Sequence, residues 1–383
     1  MSTNAPPLQR VLLIHNRYRA AGGEERVVEE IATLLAERGH AVARLERDSA
    51  DASRPGAAHA LVRGGVDEQE VADAVRAHAA DIVHAHNLHP LLGWRSLAAA
   101  RSAGARTILH LHNHRLVCAV GITYRDGHPC FECHGRDTRP GVRHRCRGSL
   151  SEALVYATGL ARQQPRLLAF ADQIAVVSHA QAARLKALGV EEPFSVLPNP
   201  ATRLASASHA EAGRYALASG RLIEAKGFAT AIKAAKTTGV PLWIAGSGPD
   251  ESRLKALAAG ADVRFLGWLP ESELAAVRQA AAAVLVPSRC EEFCPMTVID
   301  ALADGVPVLA SDHSGLHELL DPDSLVSTND DGAWAAALGR LWRDLQLRVA
   351  RGNAALAQAR AGHSADAYYA KLTEIYAAAA LAV

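Results

Sequence analysis

The chain has 383 residues, 49% of them hydrophobic and 21% charged, a globular composition at a length that favours two domains over one small core. Lys and Arg total 41 against 40 Asp and Glu, a net charge of +1 that removes any chain-wide case for nucleic acid. No run of about 18 apolar residues occurs, so no transmembrane helix is expected, and six cysteines over this length suit thiols or metal ligands in a reducing compartment better than a disulfide scaffold.

The start, Met1-Ser-Thr-Asn-Ala-Pro-Pro7, lacks the apolar core of a signal peptide, from which a cytoplasmic location is expected, with any membrane contact peripheral, at the inner face. Short β-rich runs then follow: Val11–Ile14, Ala41–Leu45, Ile82–His84, Thr107–Leu109, Ile174–Val177 and Phe194–Leu197. Segments of helical spacing lie between them, such as Val27, Val28, Ile31, Leu34 and Leu35. This βαβα succession predicts parallel sheets covered by helices on both faces. After the first strand, Asn16 to Glu25 carries Gly22 and Gly23 before a helix, where N–H groups can approach a phosphate or sugar; a plain helix-start turn reads equally well. It is not the G-x-G-x-x-G fingerprint, since its glycines are adjacent.

Pro198-Asn-Pro200 and the small, polar stretch Ala201 to Gly213 break the pattern and are expected to form the interdomain linker. A second series follows, at Tyr215–Ala218, Pro241–Ala245, Val263–Leu266, Ala283–Val286 and Val306–Ala310. Within it, Pro287 to Ala310 holds Glu292 and Asp300 eight positions apart, around a helix expected to start near Met296. The free N–H groups and dipole of such a start make an anion site, with Glu292 at its mouth and Asp300 one turn inside. An ordinary strand–loop–helix with surface acids is the alternative. The last helix, about Ser364 to Ala380, carries Tyr368, Tyr369 and Tyr376.

Taken together the motifs resemble a retaining glycosyltransferase of the GT-B fold, family 4 or "group 1" type. The resemblance rests on Gly22-Gly23-Glu24, Arg38-Gly-His-Ala-Val42, Asp81-Ile-Val-His-Ala-His-Asn87, Leu111-His-Asn-His-Arg-Leu-Val-Cys118, Val177-Ser178 and Pro198-Asn-Pro200. In the second half it rests on Ser219-Gly-Arg-Leu-Ile-Glu-Ala-Lys-Gly227, Ala245-Gly-Ser-Gly-Pro249, Phe265-Leu-Gly-Trp268 and the Glu292…Asp300 loop. It implies two Rossmann-like doubly wound α/β domains facing across a cleft and closing over their ligands. Residues 1–200 would bind the acceptor, with a Cys-rich insertion at 112–148; residues 201–362 would bind the nucleotide-sugar; residues 363–383 would pack back on the first domain.

By the same resemblance Arg221 and Lys226 would hold the donor diphosphate, and chemistry agrees, since a departing nucleoside diphosphate needs cations and N–H dipoles. A solvated charge pair at a helix start is the alternative. Met296 and Thr297 would offer N–H groups to the same phosphates, and Glu292 would contact the donor sugar. Asp300 would hydrogen-bond the ribose, and Gly246 and Gly248 would lie along the nucleoside. His112 matches a histidine near the active centre; strand alternation would put His110, His112 and His114 on one face, at least one of them simply packed. His86 and Asn87 stand as acceptor-side candidates. Two departures stand out: Asp300 where the family commonly has Glu, and Cys294-Pro295 where it usually has Gly.

Cys118, Cys130, Cys133 and Cys146 fall in one polar segment, Leu116–Gly148, with Cys130-Phe-Glu-Cys133 a C-x-x-C pair. Four thiolates can satisfy a tetrahedral structural zinc, with His128, His134 and His144 as alternative ligands; unconnected thiols in an acceptor loop are the other reading. No cofactor is expected for catalysis. The activity implied is sugar transfer from a nucleotide-diphosphate sugar to a glycan or lipid-linked hydroxyl; a non-catalytic GT-B protein binding nucleotide or glycan is the rival. Arg17, Arg19, Arg115, Arg125 and Arg139 are read as contacts for an anionic lipid or glycan.

Overall fold

A computed structural model describes residues 9–18, 22–201 and 203–381; Arg19 lies outside them. Contacts divide the chain into two units. The first takes in the chain up to Thr123, Cys130–Pro198 and the chain from Tyr368 on; the second takes in Tyr124–Pro129 and Asn199–Ala367. Among the described residues no helix is long and apolar enough to cross a membrane.

The first unit's sheet begins with β1 (Arg10–Arg17), β2 (Ala41–Asp48), β3 (Ile82–Ala85) and β4 (Arg106–Leu111). A small antiparallel hairpin, β5 (Tyr124–Arg125) and β6 (His128–Pro129), follows and groups with the second unit. β7 (Gln173–Val176) and β8 (Ser195–Val196) then complete an all-parallel sheet of order β2-β1-β3-β4-β7-β8. Val11 to Ile14 are all buried, as a strand covered on both faces requires. The helix Gly23–Glu37 buries Val27, Val28, Ile31, Leu34 and Leu35, the face its spacing predicts.

The second unit's sheet runs through β9 (Ala216–Ser219), β10 (Leu242–Ala245), β11 (Val263–Gly267), β12 (Ala283–Val286), β13 (Val308–Ser311) and β14 (Leu325–Val326). It too is parallel, in the order β11-β10-β9-β12-β13-β14. β13 starts two residues later than its apolar run, because Pro307 has no N–H for the ladder and contributes only its carbonyl, to Val284 at 2.8 Å. In each sheet the strand order reverses beside the first strand, at β1/β3 and at β9/β12, and such switch points open the crevices where α/β sheets bind ligands.

The stretch read as the interdomain linker follows the unit boundary at Pro198/Asn199 and bonds to the second unit: Ala205 N–H donates to the Ala303 carbonyl at 2.8 Å and Ser208 Oγ to the Gly305 carbonyl at 2.6 Å. One expectation needs correcting. His114 does not continue the alternation of His110 and His112, because β4 ends at Leu111; it turns inward toward Thr123 Oγ1, 3.3 Å away.

The C-terminal helix, Ala365–Leu381, packs on the first unit through its tyrosines. Tyr376 Oη lies 3.0 Å from His84 Nδ1, and Tyr369 Oη lies 2.7 Å from His40 Nε2. His84 opens a buried array in which the rings of His86 and His110 lie 5.3 Å apart. His84 Nε2 meets His110 Nδ1 at 3.3 Å, and the rings of His110 and His112 lie 4.1 Å apart. Burial depresses His84 to about 3 and His86 and His110 well below the ordinary histidine value, so the array is neutral.

Acidification is therefore expected to destabilise the fold. Below the unfolded pKa of 6.5 the unfolded chain takes up protons that buried His84 refuses until about pH 3, so stability falls as pH falls through that window. Each such histidine contributes a slope of about 1.4 kcal/mol per pH unit. Urea midpoints should drop stepwise from about pH 7 to about pH 5, less steeply for His84→Gln; equal slopes would contradict this account.

Candidate active site

Because β9 and β12 are neighbours, the loops leaving their carboxyl ends lie side by side. The first passes through the short turn Glu224–Lys226 to Gly227; the second runs from Pro287 to Pro295. Gly227, at φ 69°, has the Pro287 carbonyl oxygen where a Cβ would stand 1.8 Å away, so only glycine lets the loops close. Lys226 Nζ thereby reaches Glu292 Oε1 at 2.5 Å, and Ser288 Oγ donates to the same oxygen at 2.6 Å. Burial disfavours the charge on Lys226, but Glu292 and Cys290 outweigh it and hold the ammonium above the usual lysine range. Exposed Arg221 is near enough to bear on both Lys226 and Cys290, whose thiol is pushed up to about 12 by burial and then by Glu292.

The Glu292 carbonyl accepts from Gly315 N–H at 2.9 Å, and Asn199 Nδ2 donates to the Cys294 carbonyl at 2.7 Å. Those bonds anchor the loop in which Cys294-Pro295 replace glycine. The helix Met296–Ala303 begins at the expected residue, and the N–H groups of Met296 and Thr297 have no acceptor within it. Asp300, the residue expected at the ribose, is buried, 3.6 Å from the Arg278 guanidinium, which also meets Asp304 at 2.6 Å and Glu271 at 3.2 Å. Gly246 and Gly248 serve backbone packing, since Cβ atoms there would stand 1.9 Å from the Gly220 oxygen and 2.4 Å from the Leu222 oxygen. A larger cavity of about 640 Å³ lies beside Glu224 and Arg289, but neither Lys226 nor Glu292 lines it, and its Lys233 and Arg253 are already paired with Asp331 and Asp250.

At the first unit's switch point the centre is Glu24, part of the Gly22-Gly23-Glu24 motif but given no role from the sequence. Its buried carboxylate accepts from Tyr18 Oη at 2.9 Å, from Asn87 N–H at 2.9 Å and from Asn113 Nδ2 at 3.3 Å. Burial raises its pKa. Glu25 caps the helix through the Gly22 N–H at 2.8 Å, so that donor is engaged within the chain, while Gly23 opens the helix. His112 Nε2 lies 3.0 Å from His86 Nδ1, and Arg115 stacks over the Tyr18 ring at 4.8 Å. A cavity of about 30 Å³ opens among Glu24, His86, Asn87, His112, Asn113 and Arg115.

Other candidates fall elsewhere. Arg17 pairs with Glu46 at 3.6 Å, Arg125 with Asp126 at 2.5 Å and Arg139 with Asp137 at 2.7 Å, so the arginines have individual partners in place of a shared basic patch. Cys118, Cys130, Cys133 and Cys146 are half-buried thiols outside any disulfide. Among the described residues the set of three ligand atoms mutually within 4.8 Å belongs to His84, His86 and His110, not to the cysteines.

Two family profiles match successive parts of the chain, that described as Glycosyltransferase Family 4 over residues 21–202 and that described as Glycosyl transferases group 1 over residues 203–358. The chain belongs to the group 1 glycosyltransferases. Sucrose-phosphate synthase from Thermosynechococcus elongatus superposes on this glycosyltransferase with a TM-score of 0.72 at 18% identity, covering 96% of this chain and 98% of that one. Anabaena HepE in complex with UDP and glucose does so with a TM-score of 0.64 at 18% identity, covering 96% and 99%. At such identities the likeness shows the fold, the two parallel-sheet α/β domains of GT-B. D-inositol 3-phosphate glycosyltransferase of Corynebacterium jeikeium is 42% identical over 93 residues, 24% of this chain and 22% of that protein. The amylovoran biosynthesis glycosyltransferase AmsK of Erwinia amylovora is 34% identical over 138 residues, 32% of this chain and 34% of that protein. The chain thus spans 22% to 34% of the length of these two curated relatives.

In this glycosyltransferase, Lys226→Met strands a buried carboxylate. It should destabilise the fold by about 1–3 kcal/mol, with part recovered when Glu292→Gln is added. A double-mutant cycle in urea measures the coupling, and a value near zero would mean the pair holds nothing together.

Proposed function

We propose that this chain transfers a sugar from a nucleotide-diphosphate sugar to a hydroxyl acceptor, a glycan or lipid-linked glycan, with retention of anomeric configuration. The observation that carries the reading is the convergence of Lys226, Glu292 and Arg221 at the β9/β12 switch point, next to the start of the helix Met296–Ala303. The neighbour HepE is described in complex with UDP-glucose, which supports a donor of that class. Breaking the sugar–phosphate bond leaves its electron pair on the diphosphate oxygen. Arg221, Lys226 and the N–H groups of Met296 and Thr297 would stabilise that charge, so the reading needs no cation at the diphosphate. Glu292, held by Lys226 and Ser288, would face the donor sugar. His112 and Glu24, with His86 and Asn87, would supply polar contacts for sugar and acceptor hydroxyls. Asp300, one methylene shorter than glutamate and facing Arg278, would reach the ribose less directly.

The test is release of UDP or GDP from a panel of nucleotide-sugars supplied with glycan and lipid-linked acceptors. Lys226→Ala and Glu292→Ala should each lower kcat/KM by at least about 100-fold, and NMR of the product should show the donor's anomeric configuration. Tight nucleotide binding by calorimetry without turnover on any donor would favour the non-catalytic alternative instead.

A further inference from the structure

Of the arginines read from the sequence as anion contacts, Arg17, Arg125 and Arg139 are each paired with an acid. Arg115 is not. Among the described residues no carboxylate lies within 4.0 Å of it, and its guanidinium makes no hydrogen bond. Its Nε is buried without a partner, and the unpaired terminal nitrogens are the accessible edge of the fork. A half-buried cation left in this state has lost part of its hydration, and a bound counter-charge would recover that loss.

The side chain is nevertheless fixed. The Arg115 backbone N–H donates to Asn113 Oδ1 at 2.8 Å, and the guanidinium lies over the Tyr18 ring at 4.8 Å. Tyr18 Oη is tied in turn to Glu24 at 2.9 Å and to Asn113 Nδ2 at 3.1 Å. Gly121, at φ 84°, closes the turn over the stem: a Cβ there would stand 3.5 Å from Arg115 Nε. A guanidinium ordered in advance loses little side-chain freedom on binding, and its planar fork matches a carboxylate or a phosphate. Glu24 does not take up the charge. It acts on Arg115 from beyond ion-pair distance, because its Oε1 accepts from Asn87 N–H and its Oε2 from Tyr18 and Asn113.

Arg115 lines the cavity of about 30 Å³ together with His86, His89 and His110. These three histidines are more than nine-tenths buried, and the Nε2 of each has no hydrogen-bond partner. Buried polar atoms left unpaired in a native fold call for a water or a ligand group, and this volume admits one of hydroxyl size. A ligand that offers a hydroxyl to the cavity and an oxyanion to the guanidinium beside it would satisfy both. We infer that Arg115 is the anion-recognising residue of the first unit, and that the acceptor carries a carboxylate or phosphate close to the hydroxyl that receives the sugar. The donor diphosphate already has its cations in Arg221 and Lys226, so an anion at Arg115 belongs to the other substrate. That this substrate is the acceptor rests on the transfer proposed above; that Arg115 binds an oxyanion does not.

The test is binding to the full chain, without donor, of glucuronate and glucose 6-phosphate against glucose, followed by NMR. At least one charged probe should bind about 10-fold or more tighter than glucose. Arg115→Gln should erase that preference, Arg115→Lys should recover part of it, and Arg221→Gln should keep it. Preference for glucuronate assigns a carboxylate, and preference for glucose 6-phosphate a phosphate. On the unmodified chain the preferred probe should protect Arg115 from phenylglyoxal, mapped by mass spectrometry, a readout independent of whether the variants fold. Equal binding of charged and neutral probes, no protection of Arg115, or a preference lost with Arg221→Gln and kept by Arg115→Gln would each overturn the proposal. Because no turnover enters this assay, a chain that binds the anion and transfers no sugar would fail the transferase reading alone.

Discussion

The second unit's chemistry depends on two loops meeting where the strand order reverses, and they meet because Gly227 leaves room for the Pro287 carbonyl. That approach sets the Lys226 ammonium against Glu292 at 2.5 Å, with Ser288 on the same oxygen. A partly buried ion pair adds little net stability, because desolvation offsets most of the attraction. Its effect is geometric: neither charge can leave without stranding the other, so both loops are held in one arrangement. Arg221 then stands exposed as a cation beside a neutralised pair.

The first unit meets the same problem by other means. Its switch point is built from neutral imidazoles, amides and a phenol around one buried carboxylate. Glu24 is satisfied by three donors from three loops, and burial keeps the histidines of β3 and β4 uncharged. Such a surface offers directional donors and acceptors with little field, which suits hydroxyl groups, whereas the second unit's charges suit phosphate. The contrast follows from the sequence: His84 and His110 lie on the adjacent strands β3 and β4, with His86 just past the end of β3, while the corresponding loops of the second unit carry Lys226 and Glu292.

Much of this was legible in the sequence, and the reason is local. Buried parallel strands read as continuous apolar runs, so the βαβ order of both units follows from Val11–Ile14 or Ala283–Val286. The helix Met296–Ala303 starts at the expected residue, directly after Pro295 at its N-cap. Contacts set by distant segments were not. Glu24 meets Asn113 across 89 positions, and no local pattern announces that pairing. His114 looked like a third member of a strand face, because alternation cannot tell where a strand stops. Ala201 to Gly213 gave no sign in its small polar residues that Ser208 would bond to the Gly305 carbonyl. β14, two residues long, falls below what periodicity can resolve.

Asp300 is where residue pattern and structure diverge most instructively. The two acids of the Glu292…Asp300 loop have the same charge and a regular spacing, yet their surroundings separate their roles. Glu292 faces a lysine shared with the neighbouring loop, at the carboxyl end of the sheet. Asp300 lies one turn into its helix and faces Arg278, a buried guanidinium that also holds Asp304 and Glu271. A guanidinium with five donors can serve several carboxylates at once. At 3.6 Å the Asp300 contact is the longest of the three, and Asp304 at 2.6 Å is the firm partner. Arg278 thus offsets the charge of a shortened acid without binding it tightly. That leaves Asp300 as the softer half of the acid pair, and Glu292, held by Lys226 and Ser288, as the half that joins the two loops.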